Sequence, residues 1–368
     1  MPVFIHTFGV NMLIPTPRVR HLARRIASAS CLGVLVLTGT RAAAEVAPKA
    51  QTVCYQFTHD VALGATGVQD YLTLDPSAHR LYVSHYDKVD VIDTRSDTLL
   101  GTIGPFHDSH GIAIVDRLGK GYADSGQDGV VKVFSLSDLR IQKEIPVSPD
   151  ADGMVYDQKT GLVLLVAGDS KELMAINPVK DQVVETIALP GKPEFLTTDG
   201  DGDAFVNLAD VAKIAKVNLR KGRVEATWSL LGCKDPHGIA YDSRTRRLFS
   251  GCANQRLIVV DASNGRNLAN LPIGAFSDSV AVDRRRGLVF SANGTGTLTV
   301  IGEHPGDRYT VVSTIPTFFG ARNMAVDPET GDLFLAHETM KIESPLSDLL
   351  NLRFGWSGVD VAVLQPQS

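Results

Sequence analysis

Several features that would point to familiar chemistry are scarce or missing from this chain. It has two tryptophans in 368 residues, and aromatic side chains make up 7% of the total. A single-stranded nucleic-acid binder needs a basic groove interleaved with stacking aromatics, and the linear sequence offers none. The formal charge of −5 is mild, so bulk electrostatics favour neither a nucleic acid nor an anionic membrane surface as partner. No stretch approaches the roughly 18 consecutive apolar residues of a membrane-spanning helix. A Gly-x-Ser-x-Gly elbow, a Walker loop, a Cys-x-x-Cys pair and a His-Glu-x-x-His helix are all absent, which disfavours hydrolysis by a serine triad. Helical periodicity is missing apart from one late segment.

Repetition is what the chain does contain. The phrases DYLTLD, HGIAIVD, DGMVYD, EFLTTD, HGIAYD, DSVAVD and RNMAVD recur ahead of apolar strands, led by Asp70, His110, Asp152, Glu194, His237, Asp278 and Arg322. Successive leaders are 40, 42, 42, 43, 41 and 44 residues apart, the period of a four-stranded blade. Behind each leader the third strands align as VDVID, VKVFS, LMAIN, IAKVN, LIVVD and LTVIG. Short alternating or apolar runs separated by turn residues read as antiparallel meanders. The expectation is an all-β, seven-bladed β-propeller of four-stranded antiparallel blades. Its last repeat lacks a fourth strand, and an unpartnered strand at Val53 to Leu63 is available to complete it and close the ring.

Residues 1–44 read as a signal peptide, with Arg18, Arg20, Arg24 and Arg25, a short apolar core from Cys31 to Leu37, and Ala42, Ala43 and Ala44 before the cleavage point. Cys31 opens the apolar run instead of ending it, unlike a lipoprotein, and the sequence around Arg24 and Arg25 matches twin-arginine export poorly. Residues 45–52 read as a spacer and 53–368 as the propeller, which makes the expected location periplasmic or secreted and the expected state monomeric. Export favours pairing among Cys54, Cys233 and Cys252. Cys233 lies in the loop entering the fifth repeat and Cys252 ends its second strand, places on one face of a blade, so a Cys233–Cys252 disulfide is expected. Three reduced thiols are the alternative. An insertion at 338–357 carries Leu346, Leu349, Leu350 and Phe354 at helical spacing, which predicts a short amphipathic helix that is either an ornament of its blade or a lid over the channel.

The phrases GIAIVD, GIAYD and SVAVD, RLYVSH and LVFSAN, and VDVID and LIVVD resemble the repeats of the YVTN-type (YncE-like) bacterial β-propeller family, over residues from about 53 to 365. That resemblance implies the propeller fold and a binding or interaction scaffold. All seven blades here place an ionisable group before the first strand, where such repeats often carry a small uncharged residue or arginine.

In a propeller the first strand of each blade lines the central channel, so the seven leaders are expected to converge at its mouth. Four carboxylates, two imidazoles and one guanidinium in a ring suit a guest cation, either a ligand bearing an amine or a divalent metal. His85, Asn293 and His337 at second-strand ends extend the candidate ligand-binding set. The expected function is an exported scaffold binding a small molecule or a periplasmic protein at the channel mouth. The alternative is a metal-assisted lactonase or lyase with His110 or His237 as base and metal ligands drawn from His110, His237, Asp152, Glu194 and Asp278. The plainest alternative is that polar side chains simply line a wet channel. Asp199, Asp201 and Asp203 mimic a calcium loop, but Ala204 stands where that loop needs glycine, and Asp-Gly is ordinary turn chemistry.

Overall fold

The second and third strands of the blades are apolar almost without interruption, and the reason is that both of their faces are covered. In blade 3 the strand Leu162–Ala167 sends Val163, Leu165 and Ala167 into a cluster shared with blade 2. Leu164 and Val166 go into the cluster shared with blade 4. One such cluster occupies each of the seven junctions between neighbouring blades. Each fully buried Val, Leu or Ile side chain contributes on the order of 1.5–3 kcal/mol. The outermost strands are half covered and show it: Arg223–Ser229 alternates exposed and partly buried positions along its length.

The computed structural model describes residues 54–64, 68–342 and 354–367. The segments read as signal peptide and spacer lie outside the described residues, as do Leu346, Leu349 and Leu350 of the insertion. The described chain forms seven four-stranded antiparallel sheets. Their inner strands are Leu72–Asp75, Ile112–Val115, Ala151–Asp157, Pro193–Thr198, Pro236–Asp242, Ser277–Asp283 and Asn323–Val326. Each packs against the next, and the seventh returns against the first. Among the described residues there are three single turns of 3₁₀ helix and no α-helix.

Blade 7 is assembled from both ends of the chain. Asn323–Val326, Leu333–Ile342 and Phe354–Gln367 supply three strands, and Cys54–Ala62 pairs along the last of them with Cys54 opposite Gln367 and Ala62 opposite Asp360. The described parts of the insertion are strand, which includes Phe354, one of the four residues at helical spacing. The hairpin ladder continues past His337 as far as Ile342 opposite Phe354, so the backbone groups at Phe354 are taken up by pairing.

Cys233 and Cys252 form a disulfide across 19 residues of sequence. It ties the loop entering blade 5 to the end of that blade's second strand, where Cys252 pairs with Pro236. Closing a loop of this size should stabilise the fold by about 3 kcal/mol. Replacing both cysteines by alanine is expected to lower the denaturation midpoint accordingly, and an unchanged midpoint would show that the bridge constrains little.

Candidate functional site

Four of the seven leading residues sit where the strand ladder breaks. The register between inner and second strands shifts across Ala151/Met154, Pro193/Leu196, Pro236/Ile239 and Ser277/Ser279, and these breaks contain Asp152, Glu194, His237 and Asp278. A bulge frees a residue from pairing and re-aims its side chain. Asp70, His110 and Arg322 come one or two residues before their inner strands begin. Glycine follows the leader in blades 2, 3 and 5 because the next blade lies too close for anything larger. A Cβ on Gly111 would overlap the carbonyl oxygen of Asp152, and one on Gly238 would come within 2.6 Å of the Asp278 carbonyl oxygen.

The leaders meet as a charged ring. His110 Nε2 lies 3.9 Å from Asp70 and 3.5 Å from Asp108, while its Nδ1 is 3.2 Å from the buried Asp124. Asp124 also accepts the His110 backbone N–H at 3.0 Å, which fixes the residue to its own blade. His237 Nδ1 sits 3.1 Å from Asp278 and 3.6 Å from Glu194, with Nε2 3.3 Å from Asp235. Arg322 Nε reaches Asp278 at 3.2 Å. Asp152 belongs to the same group through its electrostatic coupling to His110, Asp70 and Glu194.

Burial and mutual charge set the protonation of these groups. Burial opposes the charge on His110, but Asp124, Asp70 and Asp152 outweigh it and push the imidazolium up to about 11. Burial likewise opposes His237, which Asp235, Asp278 and Glu194 push up to about 11. Burial raises Asp70 to about 6 against the pull of His110, with Asp278 adding to the rise. Burial, then the charges of Asp70 and Glu194, hold Asp152 well above the usual carboxylate range despite His110. Asp278 is held below that range, because the bond from His237 and the charge of Arg322 override its burial.

Three residues that sequence reasoning passed over complete the site, and all occupy the position after a leader. Tyr71 of blade 1 and Phe195 of blade 4 stack with ring centroids 4.5 Å apart. Blades three places apart in a ring of seven can touch only across the axis, so this pair floors the channel one residue inside the charged ring. The signal was available, since aromatics replace glycine or another small residue in these two phrases. Asn323 of blade 7 donates from Nδ2 to Asp70 at 2.9 Å and to Asp278 at 3.1 Å. Its own Oδ1 is buried without a donor, as is Oε1 of Gln69.

The second-strand residues lead elsewhere. His85 is fully buried and bonds Asp90 within blade 1 at 2.9 Å. Asn293 donates to Thr297 and Thr299 of blade 6. His337 stacks on Phe318 at 3.8 Å and meets Asp60 at 3.1 Å. Among the described residues, the carboxylate and imidazole group whose ligand atoms all approach within 4.8 Å of one another is Asp60, His337 and Asp360 in blade 7. The metal candidates of the ring, His110, His237, Asp152, Glu194 and Asp278, are not gathered in this way. Asp199 takes the backbone N–H of Asp201 and Asp203, as a turn residue does.

No protein-family model matches the chain, and no curated protein sequence matches it. Solved structures do. Hydrazine synthase of Kuenenia stuttgartiensis is similar with a TM-score of 0.64 at 13% identity, over 78% of this chain and 94% of that one. U3-55K and the WD40 repeats of RRP9 both give 0.69, at 12% and 11% identity, over 83% of this chain and 97% of theirs. At such identities the likeness is one of fold: this chain is a seven-bladed β-propeller like WD40 repeat structures.

Two expectations follow from the ring. Between the unfolded imidazole value near 6.5 and about 11 the folded chain holds the extra protons on His110 and His237. The imidazole contribution to stability should therefore be full below about pH 6.5 and be lost as the pH rises toward about 11, by at most about 1.4 kcal/mol per pH unit for each imidazole. His110→Gln should remove its share of that slope in melting experiments across this range. Gly111→Ala forces the Asp152 carbonyl away and should destabilise by about 1–3 kcal/mol in chemical denaturation; a neutral effect would mean the inner strands can part freely.

Proposed function

We propose that this chain is a scaffold that binds a cationic group of the ammonium type at the mouth of its channel. The observation that carries this reading is the imbalance of the ring. Asp70, Asp108, Asp124, Asp152, Glu194, Asp235 and Asp278 surround His110, His237 and Arg322, and burial keeps Asp70 and Asp152 above the usual carboxylate range. A guest cation takes the place of those protons. Its N–H groups also supply donors where Asn323 Oδ1 and Gln69 Oε1 have none. The Tyr71 and Phe195 rings below offer aromatic surface of the kind that attracts cations.

The repeat phrases GIAIVD and RLYVSH support placing the chain beside the YVTN-type (YncE-like) propellers. The Cys233–Cys252 disulfide and the signal-like residues 1–44 support an exported, periplasmic or secreted protein. The metal-assisted lactonase or lyase reading draws less support. Among the described residues its candidate ligands in the ring are not gathered within 4.8 Å of one another as Asp60, His337 and Asp360 are.

Titration with n-butylammonium, followed by NMR or calorimetry, tests the binding reading. With Asp70 at about 6, affinity should be roughly tenfold weaker at pH 5 than at pH 7.5. Asp70→Asn should remove that dependence, and n-butanol should not compete. Binding that ignores pH, or is shared by n-butanol, would overturn it.

A further inference from the structure

The two ends of the propeller differ in polarity. Val68, Tyr86, Val211, Leu231, Phe276 and Phe319 are between 41% and 73% exposed. Each lies in a loop that enters an inner strand or joins second to third strands, so all six stand at the end that carries the charged ring. Of the other large apolar side chains exposed among the described residues, Phe57, Leu99, Leu100 and Val184 are on outermost strands, and Val179 alone is in a turn at the opposite end. That opposite end is built from turns in which Asp93, Asp157, Asn177, Asn218 and Asp283 accept backbone N–H groups.

Two of the six, both aromatic, are held out under strain. Tyr86 has φ of +46° and Phe276 of +56°, the left-handed region that bulky residues avoid and that Gly, Asn or Asp would occupy at lower cost. Neither gains burial in exchange, since Tyr86 is 43% and Phe276 65% exposed. A backbone cost without a packing gain is a mark of a contact made with something else. Both rings also connect to the charged centre. Gln127 donates to the Tyr86 hydroxyl and to Asp108, each at 3.4 Å, and Asp108 faces His110. Phe276 leads through the backbone bonds of Gly294 and Gly320 to Arg322.

We infer that this face docks a polypeptide segment in which a lysine or arginine side chain enters the ring while apolar side chains on either side of it cover the rim. The inference rests on the cation-binding reading of the ring. Charge complementarity selects the basic residue. The width of the rim, which runs over blades 1, 4, 5, 6 and 7, exceeds what a small amine can cover and calls for an extended partner.

The test is selection of phage-displayed random dodecapeptides on the intact protein, with the selected peptides then measured by fluorescence anisotropy. Enriched peptides should carry Lys or Arg with apolar neighbours. They should bind the Phe276→Asn, Phe319→Ser double variant more weakly by roughly tenfold or more. A Leu99→Ser, Leu100→Ser control on the outermost strand of blade 1 should bind them normally. Phe276→Asn alone should raise the melting temperature while weakening binding, because it relieves the backbone and removes the ring. Peptides without a basic residue, equal binding to the rim variant, or a lowered melting temperature in Phe276→Asn would overturn the inference. Self-association lost in the rim variant would overturn it as well, by assigning the rim to a second copy. If n-butylammonium binds and no peptide is enriched, the docking inference fails and the cation site stands; if neither binds, both fall.

Discussion

Each blade of this molecule is a sheet that buries both faces against its neighbours, and nearly everything else follows from that requirement. A sheet whose middle strands read LVLLVA or RLIVVD cannot leave either face in water. In a linear stack the first and last members would expose such a face. A closed ring exposes none, which is why the strand Cys54–Ala62 is recruited from the far end of the chain to finish blade 7 beside Phe354–Gln367.

Closure has a second consequence at the axis. Seven inner strands converge there, and the space between them is so limited that glycine is needed at 111, 153 and 238 to let neighbouring backbones pass. Side chains placed at the entrance to those strands are forced together whatever their charge. Burial works against charge on all of them, so the carboxylates of Asp70 and Asp152 hold their protons above the normal range. The histidines keep theirs because Asp124, Asp235 and Asp278 stand in hydrogen-bonding reach or close to it. The site is thus an electrostatic product of the fold's symmetry, with the bulges at Asp152, Glu194, His237 and Asp278 aiming the groups inward.

Much of this was legible beforehand, for reasons that can be named. A spacing of 40 to 44 residues between like phrases survives in sequence because each blade repeats the same burial pattern. The Cys233–Cys252 bridge was legible because both cysteines fall at equivalent heights of one repeat. Other features were hidden. His85, Asn293 and His337 share the mouth's end of the molecule by their place in the repeat, yet each is engaged with Asp90, Thr297 or Asp60 at a distance set by packing. Of the four residues at helical spacing in the insertion, Phe354 lies in a hairpin extended from blade 7, and the other three lie outside the described residues.

By itself, then, the sequence determined the number of blades and the identity of the seven groups on one rim, since both depend on periodicity along the chain, and it set two cysteines on one face of one blade, where the structure joins them. Only the tertiary structure decided which of those groups touch, which protons they hold, that Tyr71 and Phe195 meet across the axis, and that Tyr86 and Phe276 stand out from the same end under strain. Contacts across a ring join residues more than a hundred positions apart. Their distances come from how seven twisted sheets close on one another, and no local pattern of residues records that.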